Sequence, residues 1–219
     1  MTDGIILIDK PAGITSFGVV ARIRRVLSKQ QGKKVKVGHT GTLDPFATGL
    51  MILVIGKECR NAGNYSKLDK VYEATIRLGQ TSSTGDPEGE ISDVSDIIPT
   101  ESQIKEVLVE LTGEITQRPP MFSAIKINGQ RAYKLARKGE TVEMPERKVT
   151  VYSLEFIDYN YPEIRIKTHV SSGTYIRTLA EDIGMKLGTS AYCNQLRRTS
   201  ISEWDITAAQ KLSDYGITD

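Results

Sequence analysis

The sequence predicts an α+β fold built on a mixed, mostly antiparallel sheet flanked by helices and loops. Segments with apolar residues at helical spacing and segments with alternating or continuous apolar residues follow one another without a regular βαβ period. The chain has 219 residues, of which 39% are apolar and 26% are charged. This composition excludes disordered, collagen-like and coiled-coil proteins, and the length favours one domain over residues 1–219.

The amino-terminal part is predicted to contain three strands and one helix. Ile5–Ile8 is typical of a short buried strand, and Thr15 or Ser16 is placed to cap the helix that follows. A loop is expected at 38–49, because it holds three glycines and a proline. It leads into Leu50–Ile55, a continuous apolar run that predicts a central strand, and Val71–Leu78 alternates as a half-buried strand does.

The remainder of the chain is predicted to alternate loops, helices and strands. Thr100 to Gln103 forms a capping box before a helix that Gly113 stops. The other predicted elements are a loop at 79–98, a basic segment at 121–139 that ends in a short helix, strands at 148–157 and 163–170, a helix at 176–187 and a short helix at 207–212.

The net charge of +2 conceals a strong segregation of charge along the chain. Residues 22–36 carry seven bases and no acid, whereas residues 84–114 carry nine acids and one base. Residues 126–148 carry seven bases against three acids. Two basic segments separated by an acidic one indicate a polyanion site on one side of the molecule, although a solvated helix face is the more common explanation of either segment by itself.

Several functional classes are not expected from this sequence. The longest apolar run, at 50–55, is far too short to cross a membrane, and the amino terminus does not resemble a signal peptide. Cys59 and Cys193 are too few for a disulfide framework, which favours a reducing cytoplasm. The two histidines, His39 and His169, are distant from each other in sequence and have no nearby cysteine, so no metal site is expected.

The segment Gly38–Leu50 is the densest candidate for a catalytic loop. Its glycines permit tight bends, and Pro45 restricts Asp44 to extended conformations. Asp44 is therefore presented on a stiff loop beside a central strand, where catalytic groups are common. A plain Asp-Pro turn has the same residues, and on these features alone it is the more common interpretation.

Further motifs occur in order along the chain and extend the pattern of this loop. They are Lys70-Val71-Tyr72, Leu78-Gly79-Gln80-Thr81, Thr84-Gly85-Asp86, the segment from Pro119 to Lys126, Gly173-Thr174-Tyr175-Ile176-Arg177, and Leu196-Arg197-Arg198-Thr199. Together with the Asp44 loop, this set resembles the TruB family of tRNA pseudouridine synthases. The resemblance covers nearly the whole chain and implies a pseudouridine synthase fold.

The resemblance implies an isomerase that needs neither cofactor nor metal. In this family, uridine 55 in the T loop of tRNA is flipped out, detached at its glycosidic bond, turned and rejoined through C5. Asp44 matches the essential aspartate, and a carboxylate can either add to uracil C6 or capture the sugar C1′. Arg177 matches the arginine that pairs with that aspartate and keeps it ionised.

The resemblance also assigns roles to five other residues. Tyr72 matches a tyrosine that stacks on the flipped base and helps to move a proton, although its strand pattern alone indicates a core residue. Leu196 matches a leucine that lines the uracil pocket, and His39 matches a histidine that fills the place of the departed base. Tyr175 is expected to pack the pocket. Lys10 has either a structural or a phosphate-contacting role.

The basic stretch at about 118–148 corresponds to the insertion with which family members close over the T stem-loop. This contact needs basic residues but no recognition of particular bases.

Two departures from the family stand out. The chain is expected to lack the usual carboxy-terminal RNA-binding (PUA) domain, and Ser202 stands where the family usually has glycine. We expect a monomer that needs no protein partner. An RNA-folding module with secondary activity and the catalytic subunit of a guide-RNA particle are the alternatives.

Overall fold

The computed structural model describes residues 3–123, 125–127, 129–136, 138–140 and 143–217. The chain divides into two compact units. Unit 1 comprises Met1–Tyr72 and Arg197–Asp219, and unit 2 comprises Glu73–Leu196. Sequence reasoning expected a single catalytic domain and gave no sign of this division.

The described residues form strands, five α-helices and three short 3-10 helices. The strands are β1 (Gly4–Lys10), β2 (Val37–His39), β3 (Thr48–Ile55), β4 (Lys70–Leu78), β5 (Gln80–Ser82), β6 (Ile91–Asp93), β7 (Gly113–Gln117), β8 (Lys126–Ile127), β9 (Gln130–Arg131), β10 (Arg147–Asn160), β11 (Glu163–Val170), β12 (Ala191–Ile201) and β13 (Trp204–Asp205). The α-helices are α1 (Ser16–Gln31), α2 (Ala62–Ser66), α3 (Glu101–Glu110), α4 (Ala132–Ala136) and α5 (Ile176–Lys186). The 3-10 helices are Gly56–Arg60, Ile206–Ala208 and Leu212–Tyr215.

Unit 1 is organised around β3, whose last seven residues are all buried. β1 pairs with it antiparallel along its whole length, from Gly4 opposite Ile55 to Lys10 opposite Gly49. β2 is also antiparallel to β3, whereas Arg197 and Arg198 of β12 run parallel to it. A continuous apolar strand occupies a central position because both of its faces are covered. The strand predicted at 50–55 is confirmed.

Helix α1 packs its apolar stripe into unit 1 and leaves its basic residues outside. The Thr15 hydroxyl accepts the Gly18 N–H at 2.9 Å, so the cap is Thr15, one of the two residues that the sequence offered for this place. The buried residues are Ser16, Val19, Val20, Ile23 and Leu27. Gly32 ends the helix with a φ of 63°, a conformation that glycine adopts without strain.

Unit 2 contains an antiparallel sheet in which β10 lies between β7 and β11, and β4 is the neighbour of β11 on the other side. The capping box at Thr100 and Gln103 is present and begins α3, as predicted. Seven residues of α5 are buried, which matches the apolar pattern of its sequence. The antiparallel pairs together with the parallel pair of β3 and β12 confirm the predicted α+β class with a mixed, mostly antiparallel sheet.

Two predicted segments differ from the structure in unit 2. The predicted loop at 79–98 contains the β5–β6 hairpin, and Gly113 begins β7 instead of only ending a helix. Strand β7 and the long strand β12 had no sequence prediction. Neighbouring strands supply the hydrogen bonds of β7 and β12, so a local apolar pattern does not reveal them.

The tail also differs, because the helix predicted at 207–212 is wrong. The structure has two separate 3-10 helices, at Ile206–Ala208 and Leu212–Tyr215. The Asp205 carboxylate accepts the Thr207 N–H at 2.9 Å and caps the first of them. Ala209 then adopts an extended conformation, with a ψ of 142°, which stops the helix.

The basic stretch at about 118–148 contains the β8–β9 hairpin and α4 before it enters β10. Some of its bases are paired with acids on the surface: Arg118 lies 2.9 Å from Glu146 and Lys148 lies 2.7 Å from Glu114. Arg137, which the charge count included, and Ala124, which belongs to a predicted motif, lie outside the described residues.

Candidate active site

The backbone on both sides of Asp44 is held by the segment that leads into α1. The Ser16 hydroxyl donates to the Leu43 carbonyl and accepts the Leu43 N–H, both at 2.8 Å. On the other side, the Pro45 carbonyl accepts the Gly13 N–H at 2.8 Å. Asp44 itself is half-buried. The loop therefore presents this carboxylate from a fixed backbone, as the sequence predicted.

Lys10 is completely buried, and its ammonium group binds backbone carbonyls. The Nζ atom donates to Pro11 and Ile14 at 2.8 Å each and to Pro45 at 3.2 Å. An ammonium group has three N–H donors, and this arrangement gives each of them an acceptor. Of the two roles left open for Lys10, the geometry favours the structural one, because it ties the end of β1 to the Asp44 loop.

Arg198 forms a second buried clamp on the same loop. Its Nε donates to the Leu50 carbonyl at 2.7 Å and its Nη2 to the Gly41 carbonyl at 3.3 Å, while only 1% of the residue is exposed. It thereby joins the two ends of the loop. A Cβ on Gly49 would lie 2.3 Å from the Arg198 carbonyl oxygen, so only glycine fits there. Sequence reasoning had noted Arg198 as part of a motif but had not assigned it this position.

Lys70 is a third buried cation of unit 1, and the Lys70-Val71-Tyr72 motif gave it no role. Its ammonium group donates to the carbonyls of Ser66 and Leu68. Burial and, to a lesser degree, the nearby Arg198 guanidinium lower the pKa of Lys70 to about 8. The sequence did contain a signal for this burial: Lys70 lies two residues before the buried Tyr72, so both side chains are on the same face of the strand.

Tyr72 and His39 also belong to unit 1. Tyr72 lies on β4 and is 7% exposed, which fits both a core residue and the wall of a pocket. His39 is the last residue of β2, half-buried and opposite Leu53 of β3. Their predicted roles in base stacking and base replacement stay predictions.

Arg177 is the centre of a buried polar network in unit 2. Its Nη1 lies 3.0 Å from Asp86 Oδ2 and donates to the Thr84 carbonyl at 2.8 Å, while its Nη2 donates to the Phe122 carbonyl at 2.7 Å. The side chains of Arg177 and Asp86 are 3% and 4% exposed. Asp86 Oδ1 accepts bonds from the Thr84 hydroxyl and the Glu88 N–H. The guanidinium is therefore rigidly oriented.

Asp86 is a functional candidate that sequence reasoning quoted within the Thr84-Gly85-Asp86 motif without giving it a role. The motif supplies both a carbonyl and a carboxylate to Arg177. Gly85 adopts a φ of 72°, and a Cβ there would lie 2.7 Å from a Glu181 carboxylate oxygen and 3.4 Å from Arg177 Cβ. The glycine thus lets this turn lie against α5.

Tyr175 and Leu196 lie elsewhere in unit 2. The backbone of Tyr175 is bound in both directions by the Gln117 side chain, at 3.0 and 3.2 Å. The Arg147 guanidinium lies 4.7 Å above the centre of the Tyr175 ring. Leu196 is 8% exposed on β12. Tyr175 therefore has a fixed position just before α5, and the pocket-lining roles of both residues stay predictions.

Each unit thus brings part of the predicted set together. In unit 1, Lys10 contacts the loop that carries Asp44. In unit 2, Arg177 is bound to Asp86 and to the segment that holds Phe122. The predicted pairing of Arg177 with Asp44 stays a prediction.

The described residues provide neither a metal site nor a membrane-spanning helix. They contain no group of three or more His, Cys, Asp or Glu side chains arranged to hold a metal ion. No helix within the same ranges is long and apolar enough to cross a membrane.

Residues 24–176 match the family described as "TruB family pseudouridylate synthase (N terminal domain)". The chain is 45% identical over 215 residues to the tRNA pseudouridine synthase B of Aquifex aeolicus, a match that covers 97% of this chain and 73% of that protein. It is 43% identical over 201 residues to the tRNA pseudouridine synthase B of Burkholderia lata, covering 92% of this chain and 61% of that protein. The chain therefore spans only part of the length of these relatives.

Two solved structures are also similar to this chain. One is a Cbf5-Nop10-Gar1 complex, with a TM-score of 0.73 and 31% identity over 96% of this chain and 53% of that one. The other is an H/ACA RNP bound to a substrate RNA containing 2′-deoxyuridine, with a TM-score of 0.70 and 29% identity over 96% of this chain and 51% of that one. Since the family match covers most of the sequence and includes the loop that carries Asp44, this chain belongs to the TruB family of pseudouridylate synthases.

Proposed function

We propose that this protein converts uridine to pseudouridine in tRNA, at position 55 of the T loop, as a monomer that needs no protein partner. The observation that carries the proposal is the 45% identity to a tRNA pseudouridine synthase B over 97% of this chain. Because its substrate is tRNA, we expect the protein to act in the cytoplasm.

The reaction needs a nucleophile but no other reactant. The C1′–N1 bond of uridine breaks, a C1′–C5 bond forms, C5 loses a proton and N1 carries one in the product. Asp44 is the proposed nucleophile, adding either to C6 of the uracil or to C1′ of the sugar and leaving again when the new bond has formed. The bonds that hold Leu43 and Pro45 support this role, because a fixed backbone limits the directions of the carboxylate.

The other predicted residues bind and orient the target nucleotide. Arg177 keeps the Asp44 carboxylate ionised, and Asp86 positions Arg177 through the buried ion pair at 3.0 Å. Tyr72 stacks on the flipped base, and Leu196 and Tyr175 line its pocket. His39 fills the space that the base leaves in the T loop, which offsets the unstacking cost of a few kcal/mol.

The test is to incubate the purified protein with an unmodified full-length tRNA and to map pseudouridine along it. We expect the modification at position 55 and nowhere else in the tRNA. Asp44→Asn should abolish the reaction and leave RNA binding within a few fold, because the amide keeps the size of the side chain but is not a nucleophile.

The matched control is Asp158→Asn, which removes an exposed carboxylate bound to Arg165 at 2.9 Å. This control should keep the wild-type rate. Near-normal turnover of Asp44→Asn would exclude Asp44 as the nucleophile, and pseudouridine at another position would refute the proposed target.

A second candidate is the catalytic subunit of a guide-RNA particle. The similarity to the Cbf5 complex favours it, although its 31% identity is lower than the 45% found for the tRNA enzyme. A short T-stem-loop RNA without any other protein or guide RNA distinguishes the two. Activity on this RNA supports the stand-alone enzyme, and activity that requires a guide RNA supports the particle subunit.

A further inference from the structure

We propose that the exposed side of α1 and the loop after it form a docking surface for the phosphate backbone of the substrate RNA. We call this set of residues the α1 surface: Phe17, Arg22, Arg24, Arg25, Lys29, Lys33, Lys34 and Lys36. The inference rests on the proposed function for the identity of the RNA as a substrate, and it adds a binding site outside the set that acts on the base.

The bases of the α1 surface have no carboxylate partner among the described residues. None of the seven lies within 4.0 Å of an acidic oxygen of the described residues. In the rest of the described chain, many surface bases are paired, as Lys105 is with Glu101, Arg165 with Asp158 and Lys186 with Glu110. Seven like charges repel one another unless an anionic partner offsets them.

The helix aligns three of these bases in one row. Arg22, Arg25 and Lys29 follow one another at spacings of three and four residues, so they share a face. This face lies away from the stripe that contains the buried Ile23 and Leu27. Arg25 and Lys29 are exposed, and Arg22 is half-buried, with its Nη1 donating to the Gly18 carbonyl at 3.5 Å. With a rise of 1.5 Å per residue, the row is about 10 Å long, enough to contact successive phosphates of one strand.

An exposed aromatic ring lies near Arg24 on the same helix. Phe17 is 62% exposed, an unusual position for a phenylalanine in a water-facing helix turn. The Arg24 guanidinium lies 5.9 Å from the centre of its ring. An exposed ring with an adjacent guanidinium is the combination on which proteins stack the bases of single-stranded nucleic acid.

RNA fits this surface better than a protein or a membrane does. The cores of protein interfaces are depleted of lysine, whereas four lysines occur here with no acid among residues 22–36. An amphipathic helix binds a membrane through its apolar face, but the apolar face of α1 is already buried in unit 1. Phosphates need only cations that point outward, and the α1 surface offers these.

The test compares two triple variants of the full chain in titrations with unmodified tRNA. The first, Arg22→Gln/Arg25→Gln/Lys29→Gln, removes the row. The control, Lys105→Gln/Arg165→Gln/Lys186→Gln, removes the same charge from three bases that are paired with acids. We expect the first variant to lose about 10- to 100-fold in tRNA affinity at 0.15 M salt, and its slope of log K against log salt to become shallower by about 2 to 3.

A third variant, the single substitution Phe17→Ala, should weaken tRNA binding by about fivefold or more. It should leave the slope of log K against log salt unchanged, because it removes no charge. The turnover of the control triple variant should equal that of the wild type. Equal affinities and salt slopes for the two triple variants would overturn the proposal, and so would binding to anionic vesicles or to an acidic protein in preference to tRNA. The titration measures binding and not turnover, so it tests this proposal even if the protein forms no pseudouridine.

Discussion

The buried pair of Asp86 and Arg177 gives the sharpest test of how unit 2 is built. Asp86→Asn removes the carboxylate charge but keeps the shape of the side chain and an oxygen for the Thr84 hydroxyl and the Glu88 N–H. Breaking a buried ion pair by removing one partner costs about 3–5 kcal/mol, because a charge stays buried without compensation. Arg177 keeps two carbonyl acceptors, so we expect a loss near the lower end, about 3 kcal/mol.

The assay is urea unfolding followed by far-ultraviolet circular dichroism, with the rate of pseudouridine formation measured on the same preparations. Asp158→Asn is the control, since its partner Arg165 is 50% exposed at a similar distance and such pairs contribute about 0–1 kcal/mol. A double-mutant cycle with Arg177→Gln isolates the coupling between the two side chains. If Asp86→Asn unfolds at the same urea concentration as the control variant, the ion pair does not stabilise unit 2.

Two further predictions concern unit 1. Lys70 holds its proton less strongly in the folded than in the unfolded protein, because its pKa is lowered from 10.5 to about 8. Above pH 8 the unfolded state therefore binds more protons than the folded state, so the free energy of unfolding contributed by Lys70 increases with pH. In urea unfolding, the stability of the wild type relative to Lys70→Met should rise by about 1 kcal/mol from pH 8 to pH 9. A difference that stays constant over this range contradicts the burial of a charged Lys70. Ser202 has a φ of 49°, so Ser202→Gly should relieve backbone strain and stabilise the protein by about 0.5–1 kcal/mol in thermal unfolding; an unchanged or lower midpoint would show that the strain is absent.

The elements that sequence reasoning predicted correctly are those with a local cause. The cap at Thr15, the capping box at Thr100 and Gln103, and the apolar run at 50–55 each depend on residues close together in the chain. Strands β7 and β12 were not predicted, because their partners are distant in sequence and their own patterns are weak. The short tail helices differ from the prediction because Ala209 adopts an extended conformation, which interrupts the helix that the apolar spacing indicated.

The candidate site shows the same division. The motifs around Asp44, Tyr72 and Arg177 were sufficient to indicate the family, which the match over residues 24–176 confirmed. They did not indicate what holds these residues in place. Asp86 belonged to the Thr84-Gly85-Asp86 motif without an assigned role, and its contact with Arg177 joins positions 91 residues apart.

The sequence by itself determined the family, the stiff loop that carries Asp44 and the segregation of charge into basic and acidic segments. The tertiary structure decided which charges are buried and which are available. Lys10, Lys70 and Arg198 are cations like those of α1, yet they are buried and bind backbone carbonyls inside unit 1, whereas Arg25 and Lys29 of α1 are exposed. Counting charges cannot separate these two groups, because the burial of a cation depends on carbonyl groups that the folded chain brings to it from distant positions.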